Sequence, residues 1–132
     1  MLKTGHTINA WMALTNLAVL PALLTQNDKK LVWMASMAAL GSFLMHITET
    51  KHNLPGFYPS YSKLFLNLDR LIALAVGTYV SLSYYTRLDL LAIGIPGLIC
   101  MMISEALFTP QRVYVLCHTL WHCSVYTIFY LI

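Results

Sequence analysis

His118 and His122 stand four residues apart in the apolar stretch CHTLWHCSVY, and His46 closes an earlier apolar stretch four residues after Ser42. Asp69 stands at the opening of the next such stretch. Ionisable side chains inside membrane-like segments are costly and usually mark function. Residues four apart share one helix face, so His118 and His122 can chelate one ion from a single helix. His46, from a second helix, makes a third ligand. Three protein ligands with a fourth position left to water is the pattern of catalytic rather than structural zinc. Zn2+ brings the pKa of its water toward about 7, supplying hydroxide at neutral pH. Asp69 is then placed to hold that water or shuttle its proton. Ser42 is placed to orient the water or to donate to a developing oxyanion.

The elements that must position these groups are membrane spans. Hydrophobic residues make up 58% of the 132-residue chain and charged residues 10%, with a mean hydropathy of +0.66. A soluble domain is closer to about 45–50% apolar. Five windows, at residues 7–24, 31–48, 64–85, 88–108 and 112–132, have the roughly 17–25 apolar residues a helix needs to cross a bilayer. The expected fold is therefore all-α: one domain over residues 1–132, a polytopic bundle of five transmembrane helices. The connections are short and well punctuated. Gln26-Asn27-Asp28 breaks the first pattern, Pro55-Gly56 and Pro59 mark the 49–63 loop, and Pro110 starts the last helix. Pro96 is expected to kink the fourth span. Counting crossings puts His46, Asp69, His118 and His122 toward one side, at similar depth. Lys3, Lys51, Lys63, Arg70 and Arg112 fall on that side, and Lys29, Lys30 and Arg87 on the other. The bias points to a cytoplasmic N-terminus.

Several function classes are excluded. The net charge of +3 is spread thinly, with no basic stripe for nucleic acid. There is no HExxH metalloprotease motif and no GxSxG elbow, and five histidines are too few for a histidine-rich di-iron site. Asn9 and Asn16, seven apart on one face, suit a retained helix turned toward protein better than a cleaved leader. Taken singly, each polar residue has an ordinary reading. Ser42 could pack between helices, and Asp69 could serve a helix N-terminus beside Arg70. Glu49, three after His46, is either a further ligand or a rim charge paired with Lys51. His6 and His52 read as solvated. Cys100, Cys117 and Cys123 read as small core residues, with a ligand role open for the two that flank the histidine pair.

The combination of Ser42-xxx-His46, Asp69 in the next span and His118-xxx-His122 in the last resembles the CREST superfamily. That group includes alkaline ceramidases, progestin/adipoQ receptors and Per1-type lipid-remodelling proteins. The resemblance implies zinc held by three histidines, a membrane-lipid substrate and cleavage of an acyl amide or ester bond. The chain departs from the family pattern in having five spans rather than seven. The missing pair falls between Asp69 and His118, an even number that keeps the last helix pointing the same way. A homo-oligomer could then complete the lipid-enclosing cavity. The alternative reading is non-enzymatic: a bundle that binds or moves zinc, or a receptor-like protein with structural zinc.

Overall fold

A computed structural model describes residues 4–106 and 108–132; Lys3, assigned above to the N-terminal side, lies outside the described residues. The first helix, α1 (Thr4–Leu14), passes through a 3₁₀ turn at Thr15–Val19 into α2 (Leu20–Thr25). Then follow α3 (Lys29–Thr48), α4 (Ser62–Ser83), α5 (Leu88–Glu105) and α6 (Gln111–Leu131), with no strand among the described residues. Four helical stretches are long and apolar enough to cross a membrane: Gly5–Thr25, Lys29–Thr48, Pro59–Ser83 and Leu88–Glu105. The third begins earlier than the sequence windows suggest, because a 3₁₀ turn at Pro59–Tyr61 runs straight into α4. The helix α6 matches their length but is not among the four. Its inward stripe carries His118 and His122 where aliphatic side chains would raise its hydropathy.

Local chemistry explains the joints. Proline has no N–H, and its ring crowds the carbonyl four residues back. Ahead of Pro21 the chain tightens accordingly, and the Leu20 N–H bonds the Leu17 carbonyl, one residue nearer than an α-helix would use. Short 3₁₀ stretches inside a helix often mark functional positions, and this one carries two inward polar side chains, Thr15 and Asn16. Asp28 caps α3 by accepting from the Lys30 N–H at 2.8 Å, as its short side chain ahead of an apolar run favours. The helix α5 carries Pro96 in its interior.

The helices run up and down in succession. The closest pairings are α5 with α6, α3 with α4, and the first helical stretch with both α3 and α6. Glycines set two of these approaches. A Cβ at Gly97 would lie 2.6 Å from Ser124 Cβ, so α5 and α6 meet there at backbone distance. A Cβ at Gly41 would lie 2.9 Å from the tip of Ile72 and 3.8 Å from Asp69 Cα, which brings α4 down onto α3 beside Ser42.

Polarity is distributed inside out. Leu24, Leu74, Leu82, Leu88 and Phe108 are among many large apolar side chains left exposed. Meanwhile Asn9, Asn16, Ser42, His46, Thr48, Glu49, Ser104, His118 and His122 are buried. An exterior apolar all round suits lipid rather than water. Two apolar clusters bracket the polar interior. Val19, Ala22, Leu31, Ala35, Tyr126 and Phe129 form one; Met12, Leu54 and Tyr114 form the other. The cysteines differ from expectation: Cys123 is exposed and Cys100 and Cys117 are half-buried. Position 123 faces away from the stripe of α6 that packs inward.

Candidate metal centre

The helix α6 buries one residue per turn along a single face: Tyr114, His118, His122, Tyr126 and Phe129. The α3 face opposite presents Ser42 and His46, also one turn apart and both buried. Where the two stripes meet, His46, His118 and His122 come together. Their candidate ligand atoms lie within 4.8 Å of one another, and all three residues are buried. The ring centroids are 4.8 Å apart for His46 and His118, 5.2 Å for His46 and His122, and 4.8 Å for His118 and His122.

The tautomers follow from what each partner oxygen is already doing. The Thr15 hydroxyl donates to the Met12 carbonyl at 2.6 Å, so at 2.6 Å from His122 Nδ1 it must accept. The Ser104 hydroxyl donates to the Met101 carbonyl at 2.7 Å, so at 3.0 Å from His118 Nδ1 it also accepts. His46 Nδ1 lies 3.0 Å from Glu49 Oε2, a carboxylate that can only accept. All three Nδ1 atoms therefore carry the proton, and all three Nε2 atoms keep a lone pair.

That pattern tests whether the residues fit a metal. His46 Nε2 is buried with no hydrogen-bond partner, a state that costs about 1–3 kcal/mol and calls for an ion or other acceptor of its lone pair. Metal-bound histidines almost always donate the other ring N–H to an oxygen, which fixes ring and tautomer. Here three of three do. The residues fit a divalent ion that accepts imidazole.

Glu49 belongs to this arrangement rather than to the rim. It is 4% exposed, accepts from Tyr114 Oη at 2.5 Å, and its backbone carbonyl accepts from Asn9 Nδ2 at 3.0 Å. Burial pushes its carboxyl up, but His46 beside it and the Tyr114 hydroxyl outweigh this and hold it below its ordinary value. The expected pairing with Lys51 does not form; Lys51 reaches Glu105 instead, at 2.6 Å. Nor does Asp69 pair with Arg70, which also reaches Glu105.

Ser42 Oγ lies 3.1 Å from His122 Nε2, with the serine 7% exposed, so it borders the converging lone pairs. Asp69 stands two turns into α4, half-buried across from Gly41, and is not in the group of possible ligands. His6 and His52 are half-buried rather than solvated. His52 stacks on Tyr114 at 4.4 Å between centroids and His6 tilts against Phe57 at 4.7 Å. Sequence reasoning missed Thr15, Ser104 and Tyr114. Tyr114 had a signal: Tyr114, His118, His122 and Tyr126 recur every four residues.

Two apolar clefts open on the flanks of the bundle. One of about 300 Å³ lies against Thr7, Ile8, Trp11 and Val115, and one of about 250 Å³ against Leu44, Ile47, Tyr58, Tyr61 and Phe65. Neither is lined by the three histidines.

Thr15→Val keeps the shape of the side chain and removes the oxygen that holds His122. Loss of such a support typically costs about 10–100-fold in metal affinity. Competition with a chelator is expected to show that loss, with Thr15→Ser close to the unsubstituted protein. Equal affinity in all three would remove Thr15 from the site.

No protein-family model, curated protein or solved structure matches the chain.

Proposed function

We propose that this chain is a five-span membrane hydrolase that uses zinc held by His46, His118 and His122 to cleave an acyl ester or amide bond of a membrane lipid. The observation that carries the reading is the set of three inward Nε2 lone pairs, each fixed by a protonated Nδ1, with the Ser42 hydroxyl at their edge. The sequence pattern that resembles the CREST superfamily supports the same chemistry. Imidazole ligands suit zinc, as they do copper, iron and nickel.

A metal bound there supplies Lewis acidity and a water acidified toward neutral pH. The chain's own residues do the rest. Glu49, Thr15 and Ser104 hold the three rings in one tautomer, so no reorganisation is needed at the moment of reaction. Ser42 donates to the carbonyl oxygen as it gains charge. Asp69 takes the water's proton and returns it to the leaving alcohol or amine. The water oxygen bonds to the carbonyl carbon, the carbon–oxygen or carbon–nitrogen bond breaks, and a free fatty acid and a lyso-lipid or amine result.

Transport fits less well. The polar interior ends at the cluster of Val19, Ala22, Leu31, Ala35, Tyr126 and Phe129, which closes the bundle toward its other end. An ion crossing the bilayer would need polar groups along that half.

Topology is testable separately. Single cysteines at Asn27 and Thr50, both exposed in connections between the helices, are expected to react with an impermeant reagent from opposite sides when Cys100, Cys117 and Cys123 are replaced. Labelling of both from one side would refute the alternating spans. The function itself is tested by incubating zinc-loaded protein with ceramides, phospholipids and glycolipids in vesicles and measuring free fatty acid. Release that His122→Ala abolishes is expected. No release from any of these lipids would leave the zinc-binding, non-enzymatic reading in its place.

A further inference from the structure

Three charges gather at the end of the bundle nearest the histidines. Lys51 follows α3, Arg70 lies on α4, and Glu105 ends α5. Lys51 Nζ lies 2.6 Å from Glu105 Oε2, and Arg70 Nη2 lies 3.2 Å from the same oxygen. One carboxylate oxygen thus serves two cations, and neither cation has it to itself. In the chain Glu105 follows Ser104, Arg70 follows Asp69, and Lys51 is two beyond Glu49. All three reach solvent, Arg70 most of all at 57% exposed. The exposed aromatics Phe57, Tyr58 and Tyr61 stand in the same connection as Lys51, and such rings favour headgroup depth.

An anion with several oxygens would satisfy this cluster better than one carboxylate does. Arginine's planar fork matches phosphate in a bidentate way and lysine acts as a point charge beside it. We propose that Lys51 and Arg70 bind the phosphate of a glycerophospholipid, with Glu105 holding their place until the lipid arrives. The proposal rests on the lipid-hydrolase reading and deepens it. It makes the substrate a phosphate-bearing ester lipid, because a neutral ceramide offers these cations nothing. Binding also releases Glu105 from Arg70, the ion pair that ties α4 to α5 on the side where Asp69 stands. Glu105, 24% exposed, then turns to rim water.

Native mass spectrometry of the detergent-solubilised, metal-free chain separates lipid binding from turnover. Phosphatidylglycerol is expected to be retained about tenfold or more over diacylglycerol of the same acyl chains, because basic residues beside an anionic headgroup each strengthen its retention. The double variant Lys51→Gln/Arg70→Gln is expected to lose that preference while taking up zinc normally. Glu105→Gln is expected to bind phosphatidylglycerol more tightly, because the internal competitor is gone; a purely structural ion pair would give weaker or unchanged binding. Equal retention of the two lipids, or a preference that survives the double variant, overturns the proposal. Inorganic phosphate that binds through Lys51 and Arg70 without any preference among lipids overturns the lipid assignment in favour of free phosphate. Phosphatidylglycerol bound as expected but never hydrolysed by the zinc-loaded protein counts against the hydrolase reading and leaves this site standing.

Discussion

His122→Ala is expected to leave the purified chain almost without zinc, against about one ion per chain in the unsubstituted protein. His122 is one of three imidazoles whose ligand atoms lie within 4.8 Å, and no other His, Cys, Asp or Glu among the described residues joins them. Two remaining imidazoles would fall short of the three protein ligands that an open zinc site needs. The loss should exceed the roughly 10–100-fold that removal of a supporting residue costs. His118→Ala is expected to behave in the same way, as is His46→Ala. His122→Ala also frees the Thr15 and Ser42 hydroxyls inside the bundle, so folding must be followed alongside. Far-UV circular dichroism and thermal unfolding in detergent serve for that. Elemental analysis decides the outcome: near-stoichiometric zinc in a folded variant lacking all three histidines would place the metal elsewhere.

The helices and the histidines are legible in the chain because both signals are local. Length and hydropathy give four of the five expected spans, and a four-residue spacing puts His118 beside His122 and Ser42 beside His46 on their own helices. Bringing the two stripes together needs only that α3 and α6 face each other. What holds the rings is different in kind. Thr15 meets His122 across 107 residues of sequence, and Tyr114 meets Glu49 across 65. No periodicity links such pairs. Thr15 reaches inward from a 3₁₀ turn set by Pro21, a proline that reads in sequence only as a tolerated irregularity. The charge on Glu49 points to the rim, and Lys51 is its nearest cationic partner in the chain. Inside the bundle, however, the Tyr114 hydroxyl and the His46 ring take its carboxylate. Asp69 is the member least anchored by geometry. Its place follows from Gly41, which lets α4 approach α3 at that level.

Ser42→Ala is expected to fold and bind zinc like the unsubstituted protein yet release fatty acid about 10²–10³-fold more slowly, the cost of one oxyanion donor. The serine is 7% exposed and its hydroxyl lies 3.1 Å from His122 Nε2. With a metal on Nε2, that hydroxyl would lose its acceptor and be free to donate to a substrate carbonyl. The charge it would meet there would develop only as the bond to water formed. Removing it should therefore lower kcat with little change in KM, since an interaction made only in the transition state does not help the substrate bind. Asp69→Asn keeps the shape of the side chain and removes its ability to take a proton. If Asp69 carries the proton from water to leaving group, turnover should fall further than in Ser42→Ala. The loss should persist across pH, because an amide does not titrate. Zinc content separates the two roles from ligation: both variants should keep it, where His122→Ala does not. Unchanged turnover in Asp69→Asn would assign the proton transfer to another group, and unchanged turnover in Ser42→Ala would leave the serine as packing between α3 and α6.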